Sequence, residues 1–171
     1  MRIYLTGFMG SGKTTVGRRL AERLVVPFID LDHEIERRTR TSVRAIFEAE
    51  GEAAFRRLET EALRATQAYA DVVVATGGGT LATPGNLRLI RQAGISVWLN
   101  PPFQTIVDRI GALGKKDRPL FKDETQALAL YQERLPFYRQ TDLTFDVGKL
   151  ESAEEVASRL ELRLRSGACA T

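Results

Sequence analysis

Gly7-Phe8-Met9-Gly10-Ser11-Gly12-Lys13-Thr14 spells Gly-x-x-x-x-Gly-Lys-[Ser/Thr], a glycine-rich turn that can wrap its backbone N–H groups around a polyphosphate. Both flanks suit it. Arg2–Thr6 reads as a short strand, and the stretch from Thr15 to Leu24 carries Val16, Leu20 and Leu24 at helical spacing. Gly7, Gly10 and Gly12 give the backbone freedom to fold inward, and a helix beginning near Lys13 adds the positive end of its dipole. Lys13 is then expected to reach β- and γ-phosphates, and Thr14 to offer its hydroxyl to a Mg²⁺ shared with them. A glycine-rich turn that binds nothing is the alternative, and the strand, loop and helix in register weigh against it.

Composition fits a nucleotide-handling enzyme. The 171 residues suit a single domain spanning 1–171 with a sizeable core. Basic residues number 25 and acidic residues 22, spread along the chain, so no block suggests a nucleic-acid tail. One cysteine, Cys169, excludes an internal disulfide framework, and with the single histidine, His33, it cannot build a zinc centre. No apolar run approaches a membrane span, and the first strand enters the glycine loop directly, so a soluble, cytoplasmic protein with no leader is expected.

Strand-like runs alternate with helical stretches along the chain: Arg2–Thr6, Pro27–Asp30, Asp71–Ala75, Ile95–Leu99 and Leu143–Val147. Continuous apolar strands alternating with helices indicate an α/β fold, a parallel five-stranded sheet covered on both faces. Two segments depart from plain alternation. One is a long polar helical region from Asp32 to about Ala70; the other, from about Ile110 to Thr125, has paired glycines, lysines and Pro119 but no core-facing pattern. In a small phosphoryl-transfer enzyme these are the places for an acceptor site and a closing lid.

Three further constellations carry chemistry. Asp30-Leu31-Asp32 ends the second strand, where side chains two apart face the same way and can point into the cleft above the sheet. One carboxylate can serve metal and the other an attacking hydroxyl, although Asp32 as a helix cap would account for one of them. In Gly51–Glu59, Glu52, Phe55, Arg56 and Glu59 share a helix face, so Arg56 could be held by glutamate as a receptor for a carboxylate, or could belong to a solvated Glu/Arg face. Gly77-Gly78-Gly79 follows the third strand, where missing side chains allow close approach to the backbone. Arg118-Pro119 and Arg134 add cations further on.

In order and spacing, Gly7–Thr14, Asp30-Leu31-Asp32, Gly51-Glu52-x-x-Phe55-Arg56-x-x-Glu59, Gly77-Gly78-Gly79, Arg118-Pro119-Leu120 and Arg134-x-Pro136-x-Tyr138 together closely resemble the shikimate kinase family over nearly the whole chain. The resemblance implies a three-layer P-loop kinase fold with strand order 2-3-1-4-5, a helical acceptor-binding region at about 32–60 and a mobile lid at about 111–124. It implies transfer of the ATP γ-phosphate to the 3-hydroxyl of shikimate, on the route to chorismate and the aromatic amino acids, by a monomer with no nucleic-acid or membrane partner. Carried over by position, Gly10, Ser11, Gly12, Lys13, Thr14 and Thr15 cradle the nucleotide and Arg109 stacks on adenine. Asp32, Arg56, Gly78, Gly79 and Arg134 bind shikimate. Thr14 ligates Mg²⁺ with Asp30 behind it, and Asp32, Lys13 and Arg118 carry the catalysis. Phe47 and Phe55 would wall the acceptor pocket. Arg40 and Phe121 stand where the family often has glycine and leucine.

A gluconate-type sugar kinase, a nucleoside monophosphate kinase and a non-catalytic nucleotide-binding module share the loop. The first would not require the glycine triplet together with Arg56 and Arg134, the second would bind a second nucleotide with a larger acceptor region, and the last would be favoured by loss of Lys13, Thr14 or Asp32, all of which are present.

Overall fold

The computed structural model describes residues 1–113 and 123–168. Five parallel strands, β1 (Arg2–Thr6), β2 (Phe28–Asp30), β3 (Val72–Ala75), β4 (Ile95–Asn100) and β5 (Leu143–Asp146), lie in the order β2-β3-β1-β4-β5. The expected sheet and order are met. In the centre, Ile3, Tyr4 and Leu5 of β1 pair with Val73, Val74 and Ala75 of β3 on one side and with Ile95, Ser96 and Val97 of β4 on the other.

Alternation along these strands divides the core. Ile3, Leu5, Val73, Val97 and Leu99 face helices α1 (Lys13–Leu24) and α7 (Ala153–Ala168), which bring Val16, Leu20, Val156 and Leu160. Tyr4, Val72, Val74 and Trp98 face the other way. There they meet α2 (Leu31–Thr39), α3 (Val43–Ala65), α4 (Asn86–Ala93), α5 (Phe103–Leu113) and α6 (Glu124–Tyr138). The central strands β1, β3 and β4 are thereby buried on both faces, which is why they read as apolar runs, while the edge strands β2 and β5 are only part-buried. No helix among the described residues is long and apolar enough to cross a membrane.

The long polar helical region expected from Asp32 to Ala70 is not one helix. Helix α2 stops at Thr39, with Arg40 left-handed at φ 54°, and α3 starts after Ser42, whose hydroxyl accepts the Ala45 N–H at 3.2 Å. The Glu36 carboxylate accepts the Val43 N–H at 2.9 Å and ties the two helices together. Within α3, Gly51 at φ 81° and ψ 174° breaks the helical path. A Cβ there would meet nothing within 4 Å, so the glycine is required by the backbone angle and not by crowding. Charge patterning gave no sign of either break. Helix α5 runs on to Leu113 and α6 begins at Glu124, so both ends of the segment read as patternless are helical.

Candidate active site

The carboxyl ends of the strands open into a cavity of about 700 Å³, the position where open α/β sheets bind ligands. One end is the loop after β1. Gly7, Gly10 and Gly12 have φ of 138°, 76° and 97°, values that a side chain would strain. The Lys13 ammonium donates to the carbonyls of Gly7 and Phe8, both at 2.9 Å, and so arches back over the loop. Gly10, Gly12, Lys13, Thr14 and Thr15 line the cavity, as does Arg109, whose guanidinium donates to the Gly10 carbonyl at 3.3 Å. Ser11 stands apart from them. It is buried, its hydroxyl has no partner, and its N–H donates to the Phe8 carbonyl.

Asp30 and Asp32 both reach the cavity, though not as neighbours on one strand face. The strand ends at Asp30 and Asp32 stands on the first turn of α2. Asp30, not Asp32, is the helix cap: its carboxylate accepts the N–H groups of Asp32 and His33 at 3.1 and 3.4 Å. Its other oxygen accepts the Thr14 hydroxyl at 2.6 Å. Capping therefore leaves Asp32 uncommitted. The Asp32 carboxylate is wetted from the cavity and crowded by protein on its other sides, and this desolvation, followed by repulsion from Asp30 and Glu59, raises its pKa to about 6 against the pull of Lys13 and Arg56.

Across the cavity, Arg56 is gripped from its own helix. Its guanidinium meets Glu52 at 3.0 Å and Glu59 at 2.8 Å, which excludes the solvated-face alternative for this residue. Burial acts against its charge, but Glu59 and then Glu52 outweigh this and hold its pKa above the ordinary value. Glu59 is fully buried and also accepts the Thr80 hydroxyl. The Thr80 carbonyl accepts from Asn86, whose side-chain oxygen pairs with the Thr60 hydroxyl at 3.0 Å. This chain of polar side chains behind Arg56 had no signature in the sequence, because it joins α3 to the turn at Thr80–Ala82 and to α4.

The glycine triplet makes room for the protein's own charges. A Cβ on Gly77 would collide with the Glu59 carboxylate, and one on Gly79 with the Arg56 guanidinium. Gly78 faces Arg134, which is buried in the cavity wall with its guanidinium 5.8 Å from the Phe8 ring centroid. Phe47 and Phe55 line the cavity in contact with each other, and Phe55 is also core. Arg118 and most of the expected lid at 111–124 lie outside the described residues. Among those described, no group of three or more His, Cys, Asp or Glu could hold a metal. Hard oxygen donors at Thr14 and Asp30 suit Mg²⁺, which keeps waters and takes phosphate oxygens in place of a full protein cage.

The family model for shikimate kinase matches residues 9–165. Curated relatives include a shikimate kinase of Nitrosomonas europaea, 42% identical over 95% of this chain and 78% of its own, and one of Aromatoleum aromaticum, 42% identical over 87% and 86%. Among solved structures, shikimate kinase from Acinetobacter baumannii in complex with shikimate superposes with a TM-score of 0.90 at 38% identity, covering 99% of this chain and 95% of that one. A gluconokinase from Sinorhizobium meliloti, at 17% identity and a TM-score of 0.58, shares the fold alone.

Proposed function

The chain belongs to the shikimate kinase family, and from that premise we propose how its residues move the ATP γ-phosphoryl group to the 3-hydroxyl of shikimate, giving shikimate 3-phosphate and ADP. The loop amides from Gly10 to Thr15, with Lys13, hold the phosphates, and Arg109 at the loop's edge takes the nucleobase. Arg56 and Arg134 hold the shikimate carboxylate, a planar anion suited to guanidinium groups. Gly78 and Gly79 let the ring lie against the backbone. Asp32 orients the 3-hydroxyl. As its oxygen bonds to the γ-phosphorus, the bond from that phosphorus to the bridging oxygen breaks, and the hydroxyl proton passes to the Asp32 carboxylate. A carboxylate with a pKa near 6 is ionised at neutrality and still basic enough to take it.

Thr14, with Asp30 behind it, would hold Mg²⁺. When bound, the ion neutralises the charge developing on the phosphate oxygens. The chain is read as one kinase domain over 1–171, with 32–60 as its acceptor region. It is read as a monomer that acts in the cytoplasm.

One observation carries the assignment of roles: the phosphate loop and the set Asp32, Arg56, Arg134 meet in a single cavity. ADP release measured with ATP and Mg²⁺ against shikimate, gluconate, AMP and no acceptor tests it. Release that depends on shikimate alone is expected. Release indifferent to shikimate, or faster with gluconate or AMP, would overturn the reading.

A further inference from the structure

Tyr138 belongs to the Arg134-x-Pro136-x-Tyr138 stretch, yet none of the roles above uses it. It stands one helical turn after Arg134, so the two share a face of α6. The residue is buried, and its hydroxyl donates to the Gly78 carbonyl at 2.6 Å. Its ring stacks on Trp98 of β4, centroids 5.7 Å apart. The Arg134 guanidinium lies against the same glycine, 3.1 Å from where a Gly78 Cβ would stand. The Tyr138 hydroxyl and the Arg134 cation thus converge on one residue of the glycine triplet. Gly78 is in turn the point where the triplet meets the phosphate loop, close to the Met9 nitrogen and the Gly7 carbonyl.

A phenylalanine would keep the ring and the Trp98 stack. Only the hydroxyl distinguishes the two, and a buried tyrosine hydroxyl needs partners. Here the partner is the backbone of Gly78, which is assigned with Arg134 to acceptor binding. We propose that Tyr138 is a positioning residue of the acceptor site, its hydroxyl fixing the Gly78 backbone against which the Arg134 guanidinium rests, so that carboxylate and ring are held in one pose. The inference rests on the reading of Arg134 as a carboxylate partner. Tyr138 touches no reacting atom, so its effect falls on acceptor binding and leaves the nucleotide alone.

The test is steady-state kinetics of Tyr138→Phe, with Arg134→Ala and the double variant beside it. In Tyr138→Phe the KM for shikimate is expected to rise about tenfold, the loss of roughly one buried hydrogen bond. Turnover and the KM for ATP should stay within about twofold. In the Arg134→Ala background the same change should add less than about twofold, because the group it positions is gone. An unchanged shikimate KM in Tyr138→Phe, a parallel rise for ATP, a full tenfold effect surviving in the double variant, or a chain that fails to fold would each make the hydroxyl a purely structural bond and overturn the inference. If Arg134→Ala raises the shikimate KM while Tyr138→Phe does not, only the inference falls. If Arg134→Ala leaves that KM unchanged, the carboxylate-partner reading falls and takes the inference with it.

Discussion

At one end of the cavity the phosphate loop is an unbroken stretch, Gly7–Thr14, shaped by its own backbone, with glycine at each position of positive φ and Lys13 bonded to carbonyls of the same loop. At the other end the acceptor wall takes Asp32 from α2, Arg56 from α3, the triplet after β3 and Arg134 from α6. Side chains hold it: Glu59 grips Arg56 and Thr80, and Asn86 braces Thr80. A local device can lose a functional side chain and keep its form. An assembly of mutually paired charges cannot, since removing one leaves its partner buried and uncompensated.

Glu59→Ala against Lys13→Ala is the widest test of that contrast. Loss of the Glu59 carboxylate leaves the Arg56 guanidinium held by the exposed Glu52, so a stability loss of about 3 kcal/mol, the lower end for breaking a buried pair, is expected in denaturant unfolding, together with loss of shikimate binding. Lys13→Ala should lower turnover on the order of 10²- to 10³-fold, as removal of a preorganised cationic donor does. It should cost less than about 1.5 kcal/mol of stability, the scale of a hydrogen bond on a half-buried loop. Equal stability losses in the two variants would erase the distinction.

The same contrast decides what was legible beforehand. The loop was readable because its chemistry and its geometry share one stretch of sequence. Sheet order was not in the residues themselves and came from the family resemblance. Asp30 and Asp32 were both read as functional, but they do not share a strand face: β2 is three residues long, and the cap falls on Asp30 because the helix starts at Leu31. Arg56 and Glu59 were visible as a helical pair. Thr60, Thr80 and Asn86 were not, since polar residues far apart in sequence carry no mark of the network that buries them. Gly77 and Gly79 were read as room for a ligand, and the structure shows that they first make room for Glu59 and Arg56.

Asp32→Asn sharpens the acceptor end alone. With the cap on Asp30, the substitution leaves the start of α2 intact, so a fall in activity cannot be charged to a frayed helix. Turnover should drop at least about 10²-fold, the lower end for a positioned acid–base group. The pH dependences run in opposite directions. Wild-type kcat/KM should fall below about pH 6 as Asp32 protonates, and the variant should lack that limb. Stability behaves otherwise: the native pKa lies above the unfolded value of about 3.9, so the native state binds the proton more tightly and ionising Asp32 costs stability as pH rises from about 4 through 6. Thermal midpoints should therefore favour the variant at pH 8 and coincide at pH 4. A variant equally unfavoured at both pH values would mean that Asp32 is a stabilising ion-pair partner, and the base assignment would fail.

The smallest effect concerns a place where the acceptor side breaks the loop's rule of putting glycine where φ is positive. Arg40, between α2 and α3, sits at φ 54° and ψ 30°, a conformation that costs a side-chain-bearing residue roughly 1–2 kcal/mol. Glycine would remove that strain but would lose about 0.5–1 kcal/mol through the freedom of the unfolded chain. Arg40→Gly should thus stabilise by up to about 1 kcal/mol, with kinetics unchanged, since Arg40 is exposed and takes no part in the cavity wall. Val25, left-handed at φ 56°, 90% exposed and β-branched at the end of α1, is the matching site on the loop's side, and Val25→Gly should gain at least as much. The pair separates two explanations for Arg40. If Val25→Gly stabilises and Arg40→Gly does not, the strain at Arg40 is offset by something its side chain does, and the turn into α3 is held by more than the Glu36 to Val43 bond.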